Sequence, residues 1–223
     1  MLRLILVGLI VGIVAVGGMF ARRIYTDSRP PAGSASLHVG GRTLTVERAM
    51  IRNRELHNGG AVNRLDLVLR WPDLNGAFAL VGQKDAPLLF VTVEDAAPLR
   101  RGPDDIDPAD RPADLYARFL EGEAEPGPGA LVIRRFRKNT PYEGEELYLS
   151  TPDERLFSAR CPGAGSPGAL AGDLCLWQAR INGLELHSRF PAAYLGDWQT
   201  MTAGVAALAR RIGAEGLPAA KKP

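Results

Sequence analysis

Histidine is scarce in this chain. The three present, His38, His57 and His187, stand apart, with no H-x-H, H-x-x-x-H or C-x-x-C spacing, so a metal cluster has no support and no cofactor is expected. There is no P-loop and no complete G-x-G-x-x-G; the nearest run, Gly127-Pro128-Gly129, ends in Val132, which removes the nucleotide-phosphate cradles. No segment recurs at a period of 20–50 residues, so a solenoid is out. An excess of one charge is also lacking. The formal net charge is +2, and once the basic ends at 1–25 and 210–223 are set aside, 20 basic and 24 acidic residues remain between 26 and 209. That balance excludes a nucleic-acid footprint, and no nucleic-acid partner is expected. The 25 glycines and 17 prolines supply turns without reaching the composition of low-complexity disorder.

Catalytic motifs are missing as well. Ala164-Gly165-Ser166-Pro167-Gly168 is one residue short of a nucleophile elbow, and Pro167 lacks the backbone N–H that an oxyanion hole needs after the serine. Asp104, Asp105, Asp107, Asp110 and Asp114 crowd one stretch. Counted from Asp105, however, the EF-hand Gly and Glu positions hold Asp110 and Tyr116, so the calcium loop fails and a solvated loop before a helix is expected. Glu143, Glu145 and Glu146 lie close together, but in a strand Glu145 and Glu146 point to opposite faces and make no acid/base pair. A thiol dyad of Cys161 or Cys175 with His187 lacks an electropositive setting.

The sequence does hold a long apolar run. Leu4–Ala21 is 18 residues without a charge, bracketed by Arg3 and by Arg22-Arg23. At about 1.5 Å per residue a helix here spans roughly 27 Å, enough to cross a bilayer. A single transmembrane helix is expected, with a signal peptide cut after Gly17 as the alternative. Gly8 and Gly12 form a G-x-x-x-G that would let two such helices touch. By lysine and arginine count, Arg3 faces Arg22, Arg23 and Arg29, which keeps the C-terminal side in the cytoplasm. The short N-terminal tail instead resembles a bacterial signal anchor, which exports the domain on its C-terminal side. Cys161 and Cys175, the only cysteines and 14 apart between two strand-like runs, favour export: a disulfide there would stabilise by roughly 3 kcal/mol and persists only in an oxidising compartment. Two buried thiols are the other reading. The expectation is a bacterial inner-membrane, single-pass protein with a periplasmic domain.

After a linker over 26–36, alternating runs dominate. SLHV and RTLTV flank Gly40-Gly41, a hairpin signal. LDLVLRW sets Leu65, Leu67, Leu69 and Trp71 against Asp66, Val68 and Arg70, a half-buried strand. PLLFVTV is apolar on both faces, as in a central strand. LVIRRF, EELYL and RLFSARC continue the series. Around Asn182-Gly183, Ile181 should face Leu184, Arg180 face Glu185, Ala179 face Leu186 and Gln178 face His187. Trp71, Trp177 and Trp198 are expected to pack in the core.

Two helices are predicted, over PADLYARFLEG and from Asp197 onward, where Trp198, Met201, Val205, Leu208 and Ile212 form a stripe closed by Arg210, Arg211 and Gly213. The expected class is α+β: an antiparallel β-meander packed by a C-terminal amphipathic helix and preceded by a single transmembrane helix. The expected division is an anchor at 1–25, a linker at 26–36, a globular domain at 37–213 and a tail at 214–223.

AMIRN (49–53), LDLVLRWPDL (65–74), LYARF (115–119), YEGEELYL (142–149) and Gly196-Asp197-Trp198 together resemble an uncharacterised proteobacterial family of N-terminally membrane-anchored proteins, over roughly residues 36–213. The resemblance implies the anchored architecture and carries over no catalytic residue. Its members have a longer insert where this chain has the short segment 75–86. The functional expectation is a membrane-anchored, exported domain that binds a protein partner in the envelope. A periplasmic hydrolase with carboxylates converging only in the fold is the alternative, and a ligand pocket between sheet and helix is a third.

Overall fold

Gly40 and Gly41 adopt φ of 54° and 74°, as a tight two-residue hairpin requires, and join β1 (Ser34–Val39) to β2 (Arg42–Glu47) with Leu37 opposite Leu44. The protein is described by a computed structural model covering residues 31–96, 115–163, 174–181 and 183–213. Beyond the first hairpin come β3 (Gly60–Ala61), β4 (Arg64–Arg70), β5 (Asn75–Gly76), β6 (Leu88–Asp95), β7 (Leu120–Pro126) and β8 (Val132–Phe136). They are followed by β9 (Glu145–Leu149), β10 (Ser158–Pro162), β11 (Leu174–Ile181), β12 (Leu184–Pro191) and the helix α1 (Trp198–Arg211).

The strands form two sheets. One is small, ordered β2-β1-β3, with β3 parallel to β1; the other has nine antiparallel strands ordered β5-β4-β6-β12-β11-β10-β9-β8-β7. The chain leaves β6, resumes at the far edge in β7 and returns strand by strand until β12 closes on β6, pairing Val93 with Leu186. Period-two alternation sends Leu65, Leu67 and Leu69 of β4 and Leu89, Val91 and Val93 of β6 to one face, the inner one, where all are at most 1% exposed. The small sheet and α1 cover that face. Met201, Val205, Leu208 and Ile212 of the predicted stripe are buried there, each contributing roughly 1.5–3 kcal/mol. Gly213, at φ 81°, ends the helix, and Thr45 N–H donates to Ile212 O at 2.9 Å, tying its last turn to β2. Asp197 occupies the N-cap position but its side chain makes no capping bond.

Two expectations are corrected. The class is mostly β, not α+β: beside α1, the described residues of the other predicted helix are helical at 115–116, pass through a 3-10 turn at Ala117–Phe119 and enter strand β7. Gly122, at φ 65°, and Pro126 oppose a continued helix, and Tyr116 and Phe119 find their burial against Phe136 and Tyr142 instead. The predicted transmembrane helix over Leu4–Ala21, with Gly8 and Gly12, lies outside the described residues. Among those described, no helix is long and apolar enough to cross a membrane.

Gly59 shows how tightly the small sheet is drawn together. Its φ is 83°, and a Cβ there would come within 2.5 Å of Ser36 O on β1. Gly59→Ala should therefore lower stability by about 1–3 kcal/mol through backbone strain, with the urea midpoint moving accordingly. An unchanged midpoint would show that β3 does not hold this close approach.

Candidate functional site: the open outer face of the sheet

Among the described residues, the opposite, outer face of the large sheet is closed at both ends and open in the middle. At one end the 3-10 turn Phe78–Leu80 packs on Val68 and Leu88; at the other, Tyr116, Phe119 and Tyr142 pack on Phe136, Leu147 and Leu149. Between them β4, β6, β12 and β11 present three rows of side chains that cross all four strands. The register aligns Arg64, Glu94, Glu185 and Arg180 in one row and Asp66, Thr92, His187 and Gln178 in the next. Val68, Phe90, Arg189 and Leu176 form the third. The middle row is knit by hydrogen bonds: Thr92 Oγ1 donates to Asp66 Oδ1 at 2.7 Å, and Gln178 Nε2 lies 3.0 Å from His187 Nδ1.

A cleft of about 230 Å³ opens in this platform, lined by Arg52, Arg64, Asp66, Phe90, Leu174 and Arg189 among others. Arg52 is placed there by the chain that precedes β4: Ile51 bridges Leu67, and Arg52 N–H donates to Asp66 O at 2.9 Å. Its guanidinium lies 5.5 Å from the centre of the Phe90 ring, a cation–π contact. Arg64 Nε donates to Asp66 Oδ1 at 3.0 Å. Burial works against ionisation of Asp66, but the Thr92 hydroxyl, the Arg64 guanidinium and the charge of Arg52 outweigh it and hold the carboxyl below its ordinary value. Thr92→Val keeps the shape and removes one of these pulls. The Asp66 carboxyl should then titrate higher than in the parent protein, as followed by carboxyl-carbon NMR; an unmoved titration would mean the hydroxyl does not stabilise the carboxylate.

The acids singled out in sequence behave differently from one another. Glu145 and Glu146 do face opposite sides of the sheet. Glu145 is only 3% exposed, and its Oε2 accepts from Arg160 Nη1 at 2.9 Å. The Arg160 guanidinium lies over Tyr142 at 4.8 Å and Tyr116 at 5.7 Å. Burial pushes the Glu145 carboxyl up, against the pull of Arg160. Glu146 Oε2 accepts from Tyr148 Oη at 2.8 Å, and burial together with that bond pushes the Tyr148 hydroxyl up. Glu143 accepts from Asn139 N–H at 2.8 Å. All three line a groove of about 420 Å³, yet each is committed to a separate partner, so no proton is shared between two of them.

Cys161 and Cys175 are joined in a disulfide, fully buried on the inner face. His187 lies on the outer face beside Gln178, so the thiol dyad does not exist. His57 Nε2 lies 3.0 Å from Ile51 O, and His38 Nδ1 lies 3.0 Å from Thr43 Oγ1. Among the described residues no three His, Cys, Asp or Glu gather as a metal site. Trp177 is buried, Trp71 stacks on Tyr194 at 4.9 Å, and Trp198 stacks on Phe157 at 5.4 Å while its Nε1 donates to Gly129 O. The aspartates at 104–114 and the motif at 164–168 lie outside the described residues. Sequence reasoning missed Arg52 and Arg189. Its one usable signal was the alternation of LDLVLRW, which sets Asp66 on the face opposite the leucines.

No family model matches the chain, and no curated protein matches it. Two solved structures are similar. The immunity protein Smlt3025 of the Stenotrophomonas maltophilia type IV secretion system shares 14% identity with a TM-score of 0.52, over 79% of this chain and 92% of that one. The Neisseria meningitidis iron-regulated outer membrane lipoprotein FrpD shares 7% identity with a TM-score of 0.44, over 83% of this chain and 96% of that one. The first likeness shows a common fold; the second adds nothing to it.

Proposed function

We propose that this chain is an exported envelope protein that works by binding another protein through the open middle of its outer face. The N-terminal apolar run would hold it at the bacterial inner membrane, in a single pass, with the globular part in the periplasm. The observation that carries the reading is the three-row platform of exposed and half-exposed side chains, most of them charged or polar and only Val68 buried, across β4, β6, β12 and β11. The buried disulfide supports export, because such bonds persist in oxidising compartments. The fold shared with an immunity protein of a secretion system agrees with a binding role, and membership in the anchored proteobacterial family belongs to the same proposal.

Two measurements test it. A C-terminal alkaline phosphatase fusion should be active; an inactive one removes export. A photo-crosslinking residue at Gln178 or Glu185, on the platform, should capture one defined protein in intact cells, whereas the same residue at Thr43, on β2, should not. Equal capture from both places, or none, removes the outer face as the binding surface.

A further inference from the structure

The cleft on the outer face is a concentration of positive charge in a domain whose overall balance is acidic. Three guanidiniums, Arg52, Arg64 and Arg189, meet a single carboxylate, Asp66. That carboxylate is already engaged: Oδ1 accepts from both Thr92 and Arg64. Arg64 is also drawn toward Glu94, with Nε 3.9 Å from Oε1. Among the described residues Arg52 lies over Phe90 and forms no ion pair, its charge reaching Asp66 at longer range, and Arg189, exposed and directly opposite Phe90 in the register, has neither a hydrogen bond nor an ion pair. Among the described residues, two forked cations therefore flank an apolar floor of Phe90 and Leu174 with no side-chain hydrogen bond of their own.

We infer that this cleft is the seat for a carboxylate side chain, glutamate or aspartate, presented by an acidic segment of the partner protein. The inference rests on the outer-face binding reading and supplies its anchor point. Geometry and charge select the occupant. A guanidinium fork matches a carboxylate through two parallel N–H···O bonds, and Phe90 and Leu174 can take the methylene stem of a glutamate. At about 230 Å³ the cleft is below the roughly 300–1,000 Å³ of pockets that enclose small-molecule ligands, and it suits one side chain.

The test uses the full chain in detergent micelles at low salt, with fluorescent hexaglutamate as probe and hexalysine as control, read by anisotropy. Hexaglutamate should bind and hexalysine should not. Arg189→Gln and Arg52→Gln should each weaken hexaglutamate by about tenfold or more, the loss expected on truncating an anchoring arginine. Arg155→Gln, at a remote exposed arginine paired with Asp153, should leave binding unchanged. Both cleft arginines are exposed, so the variants should keep the parent circular dichroism. Hexaglutamate binding that is absent, or that survives both cleft variants, overturns the inference. Displacement by inorganic phosphate at a concentration no higher than that of the peptide's carboxylates also overturns it, because the seat would then be a general oxyanion site. If crosslinks from Gln178 or Glu185 form while hexaglutamate fails, the seat falls and the outer-face reading stands; if both fail, both fall.

Discussion

Replacing Cys161 and Cys175 together by alanine is expected to lower the stability of the folded domain by about 3 kcal/mol. The two cysteines lie on neighbouring strands β10 and β11, where the pairing of Ala159 with Trp177 continues to set Cys161 opposite Cys175. Their 14-residue separation fixes the size of the unfolded-state loop that the bond closes, and loops near 15 residues correspond to roughly 3 kcal/mol. Alanine is the right replacement because both positions are fully buried, and a serine hydroxyl there would add its own desolvation cost. Urea unfolding of the double variant should match that of the parent protein in excess reductant. If reduction leaves the midpoint unchanged, the bond does not carry this stability and the inner-face packing of β10 on β11 suffices alone.

The second large effect belongs to Glu145 and Arg160. Their side chains are 1% and 18% exposed, so each charge depends on the other for compensation. Glu145→Ala leaves Arg160 among Tyr116 and Tyr142 without its carboxylate, a loss of about 3–5 kcal/mol for a broken buried pair. Replacing both partners by apolar residues of similar volume, as in Glu145→Leu with Arg160→Met, should recover most of that loss. A double variant as unstable as the single one would show that the pair specifies the local fold and is not merely self-compensating. The pH dependence carries its own sign. Because burial sets the folded carboxyl above its ordinary value of 4.5, the folded state holds this proton more tightly than the unfolded chain. The contribution of Glu145 to stability therefore falls as pH rises from the unfolded value through the folded one. Glu145→Gln should flatten that part of the stability profile.

How much of this was legible in the sequence varies with the range of the interaction. Local signals held: Gly40-Gly41 produced the first hairpin, the register from Ile181–Leu184 to Gln178–His187 is the one observed, and the Met201–Ile212 stripe lies on the core. The cysteine pair, framed by two strand-like runs, was also within reach. Strand β7 was not. LEGEAEP alternates glutamates with small residues but buries none of them, so no apolar row marks it as a strand and only pairing with β8 decides. The arginine-lined cleft was hidden for a related reason. Arg52, Asp66, Phe90 and Arg189 come from four segments of the chain, and they meet because β12 returns to β6 after the whole meander. Likewise the sequence sent Glu145 and Glu146 to opposite faces, but could not show that Arg160 would arrive beside one of them.

Strand β7 also bears on how this sheet meets its own copies. An open sheet ends in unpaired N–H and C=O groups that can template further strands, the usual route to intermolecular stacking and amyloid. Here one border, β5, is two residues long. The other, β7, alternates Glu121, Glu123 and Glu125, breaks its register between Glu121 and Glu125, and ends in Pro126. Two such borders aligned side by side would bring like charges together along a bent ladder with a missing donor. Both borders of the large sheet thus resist edge-to-edge pairing between copies of the chain.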